Sequence, residues 1–419
     1  MNRLDALIAP APRDVSVEVA PLATARFLGR NADIWRMLAR GVLLCAATLG
    51  LYGAWLIADL RRYLWTHTEV DGDGFEYIGD ALALLSGFLK VVAVLILLYG
   101  VSSIAAVSLG ASASLAGLFA VTAIAYLGPF IAFEARRYRL TRTVFRGLRF
   151  SQTGSAWQYG LRAALWGGAI LLSFGLVYPW AATSLERYKL RNTYYGDLRG
   201  QFQGSGLGLF IRGFALWIIV VGPLLVALAV TLGGFDWRVP AAAEIDTDLL
   251  GRIEQASPGF ILVLGEASLL PLLSLAGAFL AYPLFRAIRL RWWLAGVQFG
   301  AITVTSRLRT TDIYAVYLRA AWYFLILTLI VTTLSACVLF LTTFLATWLG
   351  DAAEAVKFAI VLGLYVVMAL AYWAVYQATV RLPLWRLAVE SARLGDFATL
   401  DAVRAAGAAG ERGPHMRSH

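Results

Sequence analysis

The chain has 419 residues, of which 60% are apolar and 15% are charged, with a mean hydropathy of +0.70. Soluble domains contain about 45–50% apolar and about 25% charged residues, so the composition excludes an ordinary soluble globular protein. The 36 basic residues exceed the 26 acidic ones, and all but three of the basic residues are arginine. Arginine distributed between long apolar blocks is typical of the cytoplasmic side of a membrane protein and not of a nucleic-acid-binding domain.

Eight apolar blocks are long enough to enter a membrane as helices. They cover residues 41–60, 81–107, 111–133, 157–184, 206–233, 257–285, 315–348 and 355–380. We therefore predict an all-α polytopic membrane protein, a helical bundle that occupies residues 26–394. Residues 1–25 are expected to be a cytoplasmic N-terminal tail without a cleavable signal peptide, and residues 395–419 a disordered C-terminal tail.

The links between the blocks differ in charge, and this difference predicts their orientation. Residues 235–256 carry five acidic side chains against two basic ones, whereas residues 136–149 carry six arginines. Basic segments are retained on the cytoplasmic side of a membrane. We therefore expect the basic links and both termini in the cytoplasm and the acidic links outside.

A motif recurs in four of the links. Each copy has an arginine and an aromatic residue at the end of an apolar block, then an apolar or aromatic residue eight positions after the arginine, a turn residue and a short β-rich run. Apolar alternation around Gly or Asp-Gly predicts a hairpin. We therefore expect internal repeats, each with a helix end, an Arg-aromatic pair, a short cytoplasmic β-hairpin and the next helix. The four pairs are Arg62 with Tyr63, Arg137 with Tyr138, Arg187 with Tyr188, and Arg291 with Trp292.

The third copy resembles a known family. Its string is Tyr178-Pro179-Trp180, then Glu186-Arg187-Tyr188-Lys189-Leu190-Arg191-Asn192-Thr193, then Gly196, Phe202 and Gly204. This string is similar to the signature of the YjgN-like family of bacterial membrane proteins, and the similarity extends over residues 27–390. The resemblance implies a multi-pass protein of the bacterial inner (cytoplasmic) membrane with a domain of unknown function, and it supplies no catalytic residues.

The number of complete membrane crossings has two interpretations. If all four hairpins lie on one side, the 157–184 block must enter and leave on that side, yet two crossings of a core about 30 Å thick need about 40 residues. We favour six full crossings plus two half-inserted segments, 41–60 and 157–184, the second of which turns at Ser173-Phe174-Gly175. The alternative is eight ordinary crossings, which would place some of the basic hairpins outside.

Charged residues inside the apolar blocks are the best candidates for a site within the membrane, because a charge in the bilayer is costly and usually functional. These are Lys90 and Glu266, which we treat as candidate ligand- or ion-binding residues and which have opposite charges suited to a pair. The chain has no zinc-protease motif, nucleophile elbow, phosphate loop or dinucleotide fingerprint. We therefore predict neither an enzyme nor a bound metal or cofactor, and we interpret His67 as a hairpin residue.

The Arg-aromatic pairs are candidates for binding lipid head groups, since arginine binds phosphate bidentately and tyrosine is stable at head-group depth. The expected partner is the lipid bilayer, anionic phospholipid in particular, either as substrate or as annular lipid. The leading hypothesis for the function is non-enzymatic handling or transport of an amphiphilic or lipid-like ligand. The alternative is a membrane scaffold or adaptor that recruits a partner protein, such as a membrane-linked peptidase.

Overall fold

The computed structural model describes residues 22–108, 113–234, 269–349 and 353–403. Within these ranges, five helical segments are long and apolar enough to cross a membrane, which agrees with a membrane protein. They are Ala81–Ile104, Gly206–Gly233, Leu269–Gly296, Thr310–Phe344 and Ala355–Ser391.

The helices come in pairs, and each pair starts from and returns to the same end of the molecule. Two pairs are short: α1 (Asn31–Ala47) with α2 (Gly53–Thr66), and α5 (Ala156–Leu172) with α6 (Tyr178–Arg191). Three pairs are long: α3 (Ala81–Ser108) with α4 (Ala113–Thr141), α7 (Gly206–Gly234) with α8 (Leu269–Gly296), and α9 (Thr310–Leu349) with α10 (Ala353–Tyr376). A π-helical segment, Gln377–Arg381, joins α10 to the last helix, α11 (Leu382–Ser391).

The two short pairs coincide with the segments predicted to be half-inserted. In each turn a non-glycine residue and a glycine both have positive φ, Leu49 with Gly50 and Phe174 with Gly175. Helix α5 has 17 residues and is therefore about 25 Å long, which is less than the hydrocarbon core of about 30 Å. A hydrogen bond of 2.8 Å from the indole of Trp217 to the carbonyl oxygen of Phe174 holds the second turn.

The segments that join the helix pairs are β-hairpins, and together they form a closed antiparallel barrel in the order β1-β10-β9-β8-β7-β6-β5-β4-β3-β2. The strands from β1 to β5 are Ala23–Phe27, Thr68–Val70, Asp73–Tyr77, Thr143–Phe145 and Leu148–Gln152. Those from β6 to β10 are Thr193–Tyr195, Leu198–Phe202, Val297–Phe299, Ile302–Ser306 and Ala392–Gly395. The prediction of an all-α helical bundle with separate hairpins is therefore wrong.

The physical reason for this error is that a hairpin has a local sequence signal and a barrel does not. Asp71 with Gly72 and Arg146 with Gly147 all have positive φ, the conformation of the type I′ turn that favours hairpins. The outer edges of a hairpin expose unpaired backbone N–H and C=O groups. Adjacent hairpins satisfy these groups by pairing edge to edge. The paired edges are far apart in the chain, and no local sequence pattern predicts which edges pair.

The two ends of the described chain supply a fifth pair of antiparallel strands, which is not a hairpin because no turn joins them. Ala23 lies opposite Leu394 and Thr24 opposite Arg393, so β1 pairs with β10. This pair closes the ring, because β1 also pairs with β2 and β10 with β9. All these strands consequently lie on one side of the helices, as the sequence predicts for the four hairpins.

The barrel core is packed with side chains. Val70, Phe145 and Tyr195, which follow the motif arginines by eight residues, form one buried cluster with Phe397. Phe397 begins a short 3-10 helix, Phe397–Ala402, within the segment predicted to be a disordered tail. Burial raises the pKa of Tyr195, whose hydroxyl donates a hydrogen bond of 3.0 Å to the carbonyl oxygen of Phe145.

Candidate functional site

The motif arginines donate hydrogen bonds to the backbone of their own hairpins. Arg137 and Arg187 each donate from Nη2 to the carbonyl oxygen 17 residues later, at Gly154 and Gly204. Arg291 donates from Nε to the equivalent carbonyl oxygen, 17 residues later at Leu308. Each bond links the helix that enters a hairpin to the residue where the chain leaves it. The arginine therefore clamps the base of the hairpin.

A fifth arginine makes the same bond at the strand pair formed by β1 and β10. Arg386 precedes β10 by six residues, as the other motif arginines precede their strands, and its Nη2 donates to the carbonyl oxygen of Gly29. Sequence analysis missed this copy because the next residue is Leu387, which is not aromatic. Arg62 is the exception in the set, since it pairs with Asp59 at 3.1 Å.

The motif aromatics connect neighbouring hairpins. The hydroxyl of Tyr188 donates to the carbonyl oxygen of Ser155 at 2.9 Å and accepts from the N–H of the same residue at 3.0 Å. Ser155 follows the preceding hairpin, so the tyrosine ties one unit to the next. Trp292 makes only the donated bond, because an indole has no acceptor. The equivalent pairs are Tyr63 with Arg30, Tyr138 with Asp80, and Trp292 with Ser205.

These contacts account for the residue types of the motif through protein bonds alone. The hypothesis that all four pairs bind lipid head groups stays a prediction. The third pair differs in its surroundings, because Arg187 and Tyr188 also line a polar cavity.

The polar cavity has a volume of about 820 Å³ and lies between α5, α6 and the first turn of α7. Its lining contains four arginines, three large aromatic residues and no carboxylate. Arg162 stacks on the ring of Tyr188, with the guanidinium carbon 4.6 Å from the ring centroid. Planar guanidinium groups suit the oxygen geometry of phosphate and carboxylate, so the lining of this cavity has the charge and the donors that an anion would need. The seven residues are Arg162, Arg187, Arg191, Arg199, Trp166, Trp180 and Tyr188.

An apolar cavity of about 340 Å³ lies next to the polar cavity, farther from the barrel. The turn after α5, the start of α6, and helices α7 and α8 line it, with Leu176, Gly213 and Phe285 among the lining residues. A Cβ atom added at Gly213 would meet no other atom within 4 Å. Trp180 of the polar cavity contacts Phe210 of the apolar cavity, with ring centroids 5.1 Å apart. A cationic cavity and an apolar cavity therefore adjoin each other.

An ion pair lies on α6 behind the polar cavity. The ammonium group of Lys189 binds the carboxylate of Glu186 at 2.5 Å. Burial lowers the pKa of Lys189, and the charge of Glu186 counteracts part of this effect. Glu186 also accepts a hydrogen bond of 3.2 Å from the indole of Trp293 on α8, so each of its two carboxylate oxygens has a partner within the protein.

The two charged residues predicted inside the membrane are not brought together in the part of the chain that is described. Lys90 is exposed on α3, and Glu266 lies outside the described residues. Their roles in binding a ligand or an ion, and their pairing, stay predictions. His67 stacks on Tyr63 with ring centroids 4.0 Å apart, and the described residues contain no group of three or more His, Cys, Asp or Glu side chains that could hold a metal ion.

Comparison with known proteins identifies the family. A family described as a bacterial protein of unknown function (DUF898) matches residues 23–264, more than half of the chain. The chain belongs to this family. The DUF898 match begins at the first residue of β1 and includes both short helix pairs and the walls that α5, α6 and α7 give to the polar cavity. It agrees with the YjgN-like resemblance. No curated protein and no solved structure matches the chain.

Replacing Tyr188 with Phe is expected to lower the free energy of unfolding by about 1–3 kcal/mol, because the backbone N–H and C=O of Ser155 lose their shared partner. Denaturant unfolding of the detergent-solubilised protein measures this effect. Tyr194→Phe is the matched control, since Tyr194 lies on the adjacent strand β6 and its hydroxyl bonds to none of the described residues. Equal losses in the two variants would show that the bridge between hairpins contributes nothing.

Proposed function

We propose that the protein handles or transports an anionic amphiphile of the membrane, with the phosphate group bound in the polar cavity and an acyl chain in the apolar cavity. The observation that carries this proposal is the contact between Trp180 and Phe210, which places an arginine-lined cavity directly beside an apolar one. A phospholipid has the same two-part chemistry. Protein contacts explain Arg187 and Tyr188, and Arg199 donates a hydrogen bond of 2.8 Å from Nε to the carbonyl oxygen of Arg191. These contacts do not explain why four guanidinium groups face one space that no carboxylate lines.

The short helix pair gives a lipid a way to reach the apolar cavity. Helix α5 ends and α6 begins at the turn around Gly175, and Gly175 itself lines the cavity. Beyond that turn neither helix of this pair continues, so the space beside α7 and α8 is bordered by lipid. An acyl chain can therefore enter laterally while the head group stays at the level of the arginines.

The barrel is inferred to lie in the cytoplasm of a bacterium whose inner membrane holds the helices. Support comes from the arginines of the hairpins, which obey the charge rule for cytoplasmic segments. We also infer that the four hairpins and the pair of β1 with β10 belong to copies of one repeated unit. Equivalent positions make equivalent bonds in these units, for example Arg137 to Gly154, Arg187 to Gly204 and Arg386 to Gly29.

Single cysteines on two hairpins test this orientation. Arg149→Cys on β5 and Thr303→Cys on β9, each in a chain whose Cys45 and Cys337 are replaced by alanine, are expected to react with a membrane-impermeant maleimide only after the cells are lysed. Both positions are exposed, so lack of reaction in intact cells reports the side and not burial. Asp351→Cys is the control and should react in intact cells, because it lies between α9 and α10 in a second acidic link, which the charge rule assigns to the outside. Reaction of either hairpin before lysis would contradict the proposed orientation.

Filling the apolar cavity tests the binding of the amphiphile. Gly213→Leu places a side chain in open space, so the helix is retained while the room for an acyl chain is lost. Native mass spectrometry of protein extracted gently from its own membranes is expected to show a tightly held phospholipid in the wild type and its loss in this variant. Gly363→Leu is the matched control, because Gly363 is an exposed glycine of α10 that also has no atom within 4 Å of an added Cβ.

Arg191→Gln tests the head-group half of the same site. Its affinity for anionic phospholipid is expected to fall about tenfold, the effect of losing one charge-assisted hydrogen bond, while retention of zwitterionic lipid stays unchanged. Lipid retention that is equal in all four proteins would overturn the proposal. A wild-type preparation that holds lipid loosely and carries a stoichiometric partner protein would favour the scaffold instead.

A further inference from the structure

A second group of arginines lies where the helices that enter the hairpins converge above the barrel. It consists of Arg61 on α2, Arg136 and Arg139 on α4, and Arg381 in the π-helical segment. We call these four residues the central arginine cluster. The charges of Arg61, Arg381 and Arg136 all act on Arg139, so the four residues lie within electrostatic range of one another. The segments that carry Arg61 and Arg381 also pack together through Leu60, Leu64, Ala378 and Leu382. None of the four lines the polar cavity between α5, α6 and α7.

Helix geometry explains why these arginines point away from the hairpin clamps. Arg61 and Arg136 directly precede the motif residues Arg62 and Arg137. Consecutive residues of an α-helix differ by about 100° in direction, so one arginine can clamp its hairpin while its neighbour faces the axis of the bundle. Arg61, Arg136 and Arg139 are partly buried, whereas Arg381 is exposed. The cluster is therefore inside the molecule and still reachable.

The described residues supply no carboxylate that neutralises this cluster. The carboxylate of Glu186 acts on Arg136, but Glu186 is already paired with Lys189, and none of the four arginines forms an ion pair with a described carboxylate. The cluster's direct protein partners are neutral side chains. They are Tyr77 for Arg61, Gln152 and Thr193 for Arg136, and Gln377 for Arg381.

Several donors in the cluster also have no acceptor in the described parts of the protein. The guanidinium of Arg139 makes no hydrogen bond or ion pair there, and Nε of Arg61 is buried without a partner. The side chain of Gln152 is 5% exposed, its Oε1 accepts a bond of 2.7 Å from Arg136, and its Nε2 is buried without a partner. Buried polar atoms are normally satisfied, so the buried Nε of Arg61 and the buried Nε2 of Gln152 need an explanation.

We propose that the central arginine cluster binds a phosphate group or a similar multiply charged anion. Such a group carries several acceptor oxygens and negative charge, which are the two things that the cluster lacks. The barrel core below is packed with side chains, so the anion arrives from the side of the helices. The site goes beyond the amphiphile site proposed above, since it is formed by other residues on α2, α4 and the π-helical segment.

Arg139→Gln is the variant that tests this site, because its guanidinium contributes no bond to the described structure. Arg149→Gln, an identical change on the exposed face of β5, is the matched control. Both are made in an Arg191→Gln background, which weakens the polar cavity and keeps the two sites apart. The full chain in neutral detergent is titrated with inorganic pyrophosphate and, separately, with phosphatidic acid against phosphatidylcholine, and the melting temperature is recorded.

At least one of the two phosphate probes is expected to raise the melting temperature of the background protein and of the Arg149 variant. In the Arg139 variant the apparent Kd for that probe is expected to rise at least about tenfold. Without any probe, Arg139→Gln is expected to melt at the same or a higher temperature, because one of four like charges is removed. Stabilisation by pyrophosphate assigns a soluble ligand. Stabilisation by phosphatidic acid alone assigns a lipid phosphate.

Three results would overturn the proposal. The first is that neither probe stabilises the background protein. The second is that Arg139→Gln binds the probe as tightly as Arg149→Gln. The third is that Arg139→Gln melts well below the control without a probe, which would make the arginine a structural residue. Loss of lipid in Gly213→Leu with an intact pyrophosphate response would separate this site from the amphiphile site.

Discussion

Backbone hydrogen bonding at the edges of short hairpins is the constraint on which this fold depends. An isolated two-stranded hairpin leaves unpaired groups on both edges and is marginally stable. Here the edge strands of each hairpin form backbone hydrogen bonds with the neighbouring hairpins, and the pairing of β1 with β10 closes the ring. Closure brings all the helix ends that adjoin the strands to one rim of the barrel. The helices must therefore leave and return on the same side, in pairs, whether a pair is long or short.

The clamp combines an arginine with a glycine at Gly29, Gly154 and Gly204. The fourth hairpin has Leu308 at this position, and Arg62 pairs with Asp59 instead. At Gly29, Gly79 and Gly204 an added Cβ would lie 2.3–2.5 Å from the aromatic ring two residues earlier. The ring lies over the glycine, and a side chain there would displace it. At Gly29 and Gly204 the carbonyl oxygen accepts the hydrogen bond from the motif arginine. The recurring glycine and the recurring arginine thus have one cause, the tight exit from the barrel.

Local features of this fold can be predicted from the sequence, and long-range ones cannot. Blocks of apolar residues give the helices, and glycine-containing turns give the hairpins, because both depend on neighbouring residues. The pairing of β1 with β10 joins residues near opposite ends of the chain, and neither strand has a hairpin partner beside it in sequence. For the same reason the sequence does not predict that Arg61 lies near Arg139 and Arg381, because each of them is one of many basic residues near the end of a helix. The apolar cavity beside Gly213 likewise depends on how far α5 extends.

The arginines of this chain fall into three groups according to what their side chains face: water, the backbone of a hairpin, or the axis of the bundle. An arginine that contributes only its charge costs the least free energy when it is exposed to water, as Arg149 is on β5. An arginine that clamps a hairpin is held by backbone, as Arg187 is by Gly204. Neither role calls for guanidinium groups that gather at the axis, where desolvation and mutual repulsion both oppose them. Barrel closure forces Arg61, Arg136 and Arg139 towards one another. The positions equivalent to Arg61 and Arg136 hold Glu186 and Leu290 in the third and fourth hairpins, so the barrel does not require arginine there. An anion that these arginines bind together accounts for their presence.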